Sequence, residues 1–372
     1  MKIACLVTND LNMDRRMDRI CRSLLSAGHE VWLIGREKND SPPLLDRPYH
    51  QVRLPMNRQS GKGFYAEYNY KLWHYLRARR WDVINAVDLD TILPAYLAAR
   101  YCRARLVYDA HEFFSETPEV VNRPLIRKAW QIIGKWLVPK ADLCYTVGPE
   151  LAKILADEYG VNFGVVRNTP EKLENRKTDL SKNEKSDISD YPKKIILYQG
   201  MLNAGRGLFP ATEALRLLPE NYVLWLVGNG DLEEKLKDGN KDLIDQGRLV
   251  FHGFVPGDRL AEFTNQAWLG LNLLDAISPS YYYSLANKCF DYIQCGLPSV
   301  QMAFPEYEAL NKEYHCFVTM DRLESARLSI VIAHLGENPE KYARLRKGCL
   351  RAAEVLTWEN EEKELLRLWQ SI

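Results

Sequence analysis

Residues 193–216 read KKIILYQGMLNAGRGLFPATEALR. A β-forming run at 195–198 breaks into a loop with three glycines and then takes up helical spacing, which is the opening of a strand–loop–helix unit. Just before it, residues 171–190 (EKLENRKTDLSKNEKSDISD) are densely charged, nearly without apolar residues and without a helical stripe, as expected of a linker or long surface loop. On both sides of that loop, short β-rich runs alternate with longer helical patterns. Strands are expected at 3–7, 31–34, 83–86, 106–108, 143–146 and 164–166 in the first half. In the second half they are expected at 195–198, 223–227, 249–251, 269–274, 299–302 and 317–319. Such alternation marks parallel sheets with helices on both faces. From about residue 323 the pattern is helical only, interrupted near 337–339 and at Thr357, an N-cap candidate before 358–369. The reading is α/β: two domains facing each other across a cleft, with a helical tail.

The 372 residues exceed one core of ordinary size, in keeping with two domains. Hydrophobic content of 46% and charged content of 27% exclude wholesale disorder and fibrous repeats. A formal net charge of +1 gives no global footprint for nucleic acid, so no nucleic-acid partner is expected. No apolar run approaches the roughly 18–20 residues of a membrane span, and the start MKIACLVTND turns charged too soon for a signal peptide. The eight cysteines are scattered without a C-x-x-C pair, which reads as buried thiols in a reducing cytosol.

In open α/β sheets ligands bind at the carboxyl ends of strands, so the loops there carry the functional information. The first, residues 8–14 (TNDLNMD), has no glycine and so lacks the fingerprint of a nicotinamide enzyme. The loop at 199–208 is different. Gly200, Asn203 and Gly205 allow backbone N–H groups to approach an anion, and Arg206 supplies a planar fork for phosphate oxygens. After the strand at 223–227, Gly228 and Asn229 make a tight turn of weak specificity. In residues 279–298 (PSYYYSLANKCFDYIQCGLP), a helix starting near Ser284 would place Asn287 and Lys288 in its first turn and Asp291 a turn later. That offers a cation for phosphate and a carboxylate for paired ribose hydroxyls. In the first half His111 and Glu112 follow the strand at 106–108, where an imidazole can meet a sugar hydroxyl or a developing charge.

The order and spacing of Asp109-Ala-His-Glu112, Asn168-Thr-Pro170, Tyr198-Gln-Gly200, Gly228-Asn-Gly-Asp231, Phe251-His-Gly-Phe-Val255, Pro279-Ser280 and Cys295-Gly-Leu-Pro298 resemble the GT-B glycosyltransferases of the retaining family 4, or group 1. The resemblance spans most of the chain. It implies two Rossmann-like, doubly wound parallel-sheet domains: acceptor-binding at 1–169 and nucleotide-sugar-binding at 193–356, joined through 170–192. It also implies a last helix at 357–372 that crosses back to the first domain. The implied activity is glycosyl transfer, with retained configuration, from a nucleotide-diphosphate sugar to a hydroxyl of a glycan or lipid-linked acceptor. Assembly of a surface polysaccharide or glycolipid is the family-level expectation. His111, Arg206 and Lys288 fall on catalytic positions. Gly200, Asn203, Gly205, Gly228, Asn229, Val255, Tyr283, Ser284, Leu285, Ala286, Asn287 and Asp291 fall on the donor side.

Two positions depart from the family pattern. Met201 replaces a basic residue, and of the two glutamates of the E-x7-E motif the first is Tyr283 and the second Asp291. Tyr283 and the backbone of Ser284, Leu285 and Ala286 are then expected to supply the missing hydrogen bonds. Asn9, Arg15, Arg16 and Glu112 are expected on the acceptor side. No metal and no other cofactor are expected, and the pair Asp88/Asp90 reads as helix-capping or acceptor-side chemistry. Residues 124–140 (PLIRKAWQIIGKWLVPK), basic and tryptophan-bearing, admit a helix resting on an anionic membrane; the resemblance favours core packing instead. The expected location is cytoplasmic, with the inner membrane face open. A nucleotide-sugar epimerase of the same architecture and a non-catalytic nucleotide-sugar-binding subunit are the rival readings.

Overall fold

The structure, a computed structural model, describes residues 1–173 and 193–372. Most of the expected linker therefore lies outside the described residues. Two compact units emerge: Met1–Asn168 with Ser278–Ser280 and Trp358–Ile372, and Thr169–Ile277 with Tyr281–Thr357.

The first unit holds a seven-stranded parallel sheet, among the described residues, in the order β3-β2-β1-β4-β5-β6-β7. Its strands are β1 (Lys2–Leu6), β2 (Glu30–Arg36), β3 (His50–Leu54), β4 (Val83–Val87), β5 (Arg105–Ala110), β6 (Leu143–Thr146) and β7 (Gly164–Val165). The central strands are buried nearly throughout, because helices cover both faces. Strand β3 was not expected. HQVRL follows the proline-rich SPPLLDRPY and offers few apolar residues, and it becomes a strand only by pairing as an edge with β2, from Trp32↔His50 to Arg36↔Leu54. Stacking of Trp32 on His50, with centroids 4.3 Å apart, reinforces that register.

Helix Arg15–Ser26 starts where the Asp14 carboxylate accepts the Met17 N–H at 2.9 Å. Its apolar face (Met17, Ile20, Cys21, Leu24) shares one core with Trp358, Leu365 and Trp369 of helix Trp358–Trp369. Trp358 Nε1 donates to Ser23 Oγ at 3.0 Å. The last helix is thus a component of the first unit's core.

The second unit holds, among the described residues, a six-stranded parallel sheet, β10-β9-β8-β11-β12-β13. Its strands are β8 (Lys194–Gln199), β9 (Tyr222–Val227), β10 (Leu249–Gly253), β11 (Leu269–Asn272), β12 (Ser299–Met302) and β13 (Phe317–Met320). The strand expected to run to 274 stops at Asn272. Strand order reverses between β1 and β4 in one unit and between β8 and β11 in the other, the switch points where a crevice opens beyond the strand ends. Each unit is thus a doubly wound α/β domain built on a parallel sheet.

Candidate active site

In the second unit the carboxyl ends of β8 and β9 interlock. Gly200 N–H donates to Val227 O at 2.9 Å, Leu202 N–H to Asn229 O at 2.8 Å, and Asp231 N–H to Asn203 Oδ1 at 3.1 Å. Gly228 has φ +140°, and a Cβ there would run into the Gly200 carbonyl, so only glycine lets the two turns touch. The sequence placed Asn203 and Asn229 on the donor. Here the Asn203 side-chain oxygen and the Asn229 carbonyl tie one loop to the other. Val255 packs beside Leu197, Val227, Tyr292 and Leu297, beneath this floor.

Two cations converge on the floor. Lys288 is buried, with Nζ 3.8 Å from the Tyr198 ring centroid and directly over Gly200, where a Cβ would sit 3.4 Å from Nζ. Burial pushes its ammonium well below the ordinary lysine range; Arg206 adds to the shift and Asp291 opposes it. The Arg206 guanidinium lies over Tyr281 at 5.1 Å, with its buried Nε unbonded. Among the described residues no acceptor oxygen bonds to Arg206 or Lys288. Neighbouring basic groups with no hydrogen-bonded acceptor favour an anion there.

The segment at 279–298 is split into a short helix, Pro279–Tyr282, and helix Asn287–Gln294. The expected start at Ser284 is therefore corrected to Asn287. Lys288 still lies in the first turn and Asp291 a turn later. The carboxylate of Asp291 accepts Gln199 Nε2 at 3.0 Å, while Gln199 Oε1 accepts the Thr264 hydroxyl at 3.0 Å. The backbone expectation for Ser284–Ala286 is corrected in part. Ser284 N–H bonds to Tyr281 O at 3.2 Å and Ala286 N–H to the Tyr307 hydroxyl at 3.0 Å, so both donors are spent internally. Leu285 is buried, Asn287 exposed, and Tyr283 half-buried with its ring edge-on to Tyr282 at 4.9 Å. Gly205 lies under Ile277 and Tyr281, and its carbonyl accepts Asp275 N–H at 2.9 Å.

In the first unit the end of β5 carries a charge relay. Arg16 is buried: Nη2 donates to Asp109 Oδ1 at 2.9 Å and Nη1 to Val166 O at 2.8 Å. It therefore supports the site from behind, which corrects its expected place on the acceptor side. The other Asp109 oxygen lies 3.1 Å from His111 Nε2. Burial alone would raise the Asp109 carboxyl, but Arg16 and His111 outweigh it and hold it at about 2. An ionised carboxylate only accepts, so His111 Nε2 donates to it. Burial disfavours the imidazolium, yet Asp109 raises His111 above its ordinary value. Asp88, at φ +57°, accepts the His111 backbone N–H at 2.9 Å, and Asp90 accepts the Thr8 hydroxyl at 2.6 Å while burial lifts it to about 6. Asn9 Nδ2 donates to Asp14 Oδ2 at 2.7 Å; Arg15 is half-buried and Glu112 exposed. No group of three or more metal-ligating side chains occurs among the described residues.

Asp109, Gln199, Tyr198 and Tyr281 were not singled out from the sequence as site residues. The available signal was position: Asp109 is two residues from His111, Tyr198 and Gln199 end β8, and Tyr281 lies in the loop already suspected.

The sequence model described as Glycosyltransferase Family 4 matches residues 13–168, and that of Glycosyl transferases group 1 matches residues 181–349. Together they span most of the chain, which belongs to the family 4, group 1 glycosyltransferases; the protein is a glycosyltransferase. No curated protein matches it in sequence. Among solved structures, Anabaena HepE in complex with UDP is 16% identical with TM-score 0.75 over 100% of both chains. Sucrose-phosphate synthase from Thermosynechococcus elongatus is 14% identical with TM-score 0.78, covering 100% of this chain and 98% of that one. WaaG, a glycosyltransferase involved in lipopolysaccharide biosynthesis, is 16% identical with TM-score 0.71 over 99% of each chain. At these identities the likeness bears on the GT-B fold alone.

Proposed function

We propose that this glycosyltransferase draws its sugar from a nucleotide-diphosphate donor and transfers it, with retained anomeric configuration and without a metal ion, to a hydroxyl of a glycan or lipid-linked acceptor. The observation that carries the reading is the pair of basic side chains, Arg206 and Lys288, held at the β8 and β9 strand ends with no hydrogen bond to a protein oxygen among the described residues. A diphosphate supplies those oxygens. As the glycosidic bond to the leaving phosphate breaks, charge grows on the diphosphate, and both cations stabilise that transition state more than the ground state. Asp291, aligned by Gln199, receives the ribose hydroxyls. His111 meets the donor sugar. The acceptor hydroxyl attacks on the face the diphosphate leaves, passing its proton to a phosphate oxygen, so no protein base is needed. The UDP found with HepE supports a uridine diphosphate as the first donor to test.

Calorimetric titration with UDP, GDP, CDP and dTDP tests the donor site. Arg206→Ala and Lys288→Ala are each expected to weaken the preferred diphosphate by about 10- to 100-fold, as loss of a charge-assisted contact of about 1.5–3 kcal/mol implies. Unchanged affinity in both variants would remove the reading. NMR of the first-formed anomer decides retention, and turnover undiminished by EDTA is the expected result for metal independence.

A further inference from the structure

Helix Pro124–Leu137 turns Gly134 and Leu137 inward and packs Trp130 against Tyr65 and Phe114. On its opposite side Leu125, Ala129, Ile132 and Trp136 recur every three or four residues as one stripe. All four are exposed, Leu125 to 85% and Trp136 to 55%. The expectation of simple core packing thus holds for half of the helix only. The neighbouring helix Leu89–Cys102 adds exposed Leu97 and Tyr101, and the two helices meet where Trp136 and Lys140 reach the Tyr96 ring. Exposed apolar residues gathered on adjacent helices mark a docking surface rather than scatter.

The charge of this face is one-sided although the whole chain is nearly neutral. Residues 91–105 and 123–141 contain no Asp or Glu, while Arg100, Arg103, Arg123, Lys128 and Lys140 are exposed there. Lys135, also on the rim, is paired with Glu158 of a neighbouring helix at 3.3 Å. A second copy of the chain would bring cations against cations. An anionic surface would meet both features at once.

We propose that the outer face of helices Leu89–Cys102 and Pro124–Leu137 docks on an anionic lipid bilayer. Leu125, Ile132 and Trp136 enter the boundary between headgroups and acyl chains, and the flanking cations meet lipid phosphates. Neither helix spans: among the described residues no helix is long and apolar enough to cross a membrane. The inference goes beyond the proposed reaction and does not depend on it.

The test is co-sedimentation of the full chain with vesicles of phosphatidylcholine alone and of phosphatidylcholine mixed with phosphatidylglycerol, at low and high salt. Wild type is expected to pellet with the mixed vesicles, to release at high salt and to bind phosphatidylcholine weakly. Lys128→Glu/Lys140→Glu is expected to lower the partition coefficient about tenfold or more. Ile132→Ser/Trp136→Ser is expected to lower it also, with the melting temperature unchanged because these side chains are exposed. A vesicle-induced blue shift of tryptophan emission should vanish in Trp136→Phe. Equal pelleting by wild type and both double variants, or no pelleting of wild type with the mixed vesicles, overturns the proposal. So does a solution dimer, seen by light scattering, that Ile132→Ser/Trp136→Ser dissolves.

Discussion

Asp109 stands between two partners that the chain brings to it: the Arg16 guanidinium from the start of the first helix and the His111 imidazole from the loop that follows its own strand. Its carboxyl is held at about 2 against an ordinary 3.8. A carboxylate depressed in this way stabilises the fold above its unfolded value and loses that contribution as pH falls through the folded value, so the window runs from about pH 4 down to about pH 2. Asp109→Asn removes that window from the acid unfolding curve. It also leaves Arg16 buried without its counter-charge, an expected loss of about 3–5 kcal/mol in urea denaturation at neutral pH. His111, no longer supported by the carboxylate, should titrate at lower pH in this variant, moving the corresponding limb of the turnover profile to lower pH. At Tyr283, which stands where the family has a glutamate, Tyr283→Ala should reduce donor-sugar affinity and turnover, and Tyr283→Phe should separate the hydroxyl from the ring. No change in either variant would sink the assignment. His111, Arg206 and Lys288 could be proposed from the sequence because reactive side chains at strand ends are informative by type and place. Asp109 and Gln199 were not, because their roles depend on Arg16, Thr264 and Asp291, residues far away along the chain.

At the level of elements, the interlocked turns after β8 and β9 depend on a backbone approach that only glycine permits. Gly228→Ala combines a φ of +140° with a collision against the Gly200 carbonyl and should destabilise the second unit by at least about 2 kcal/mol, weakening diphosphate binding with it. Gly253→Ala is the control: φ is +66° but its Cβ would meet nothing within 4 Å, so a loss of about 1 kcal/mol and unchanged binding are expected. Thermal melts with and without the preferred diphosphate separate the two. The same scale shows where pattern reading works. Strands buried on both faces, such as β4 (VINAV), announce themselves as short apolar runs, whereas β3 (HQVRL) exists because β2 presents an open edge beside it. The break at 283–286 was also invisible locally: Ser284 and Ala286 leave the helix to bond Tyr281 and Tyr307.

For the whole molecule, helix Trp358–Trp369 belongs to the unit that begins at Met1, where Leu365 is fully buried. Leu365→Ala should therefore cost about 2–5 kcal/mol and lower the unfolding temperature of the first unit, read by calorimetry; no change would mean that this helix contributes little to that core. The sequence by itself determined the parallel α/β architecture, the doubling of the fold around a polar segment and the loops proposed to carry the chemistry, because hydrophobic period, glycine placement and motif order are local properties written along the chain. Only the tertiary structure decided which polar groups are spent on their own neighbours, that Arg16 backs Asp109, and that Leu125, Ile132 and Trp136 remain uncovered. Each of these depends on what distant segments place against a residue, and burial and hydrogen-bond competition are settled by that packing.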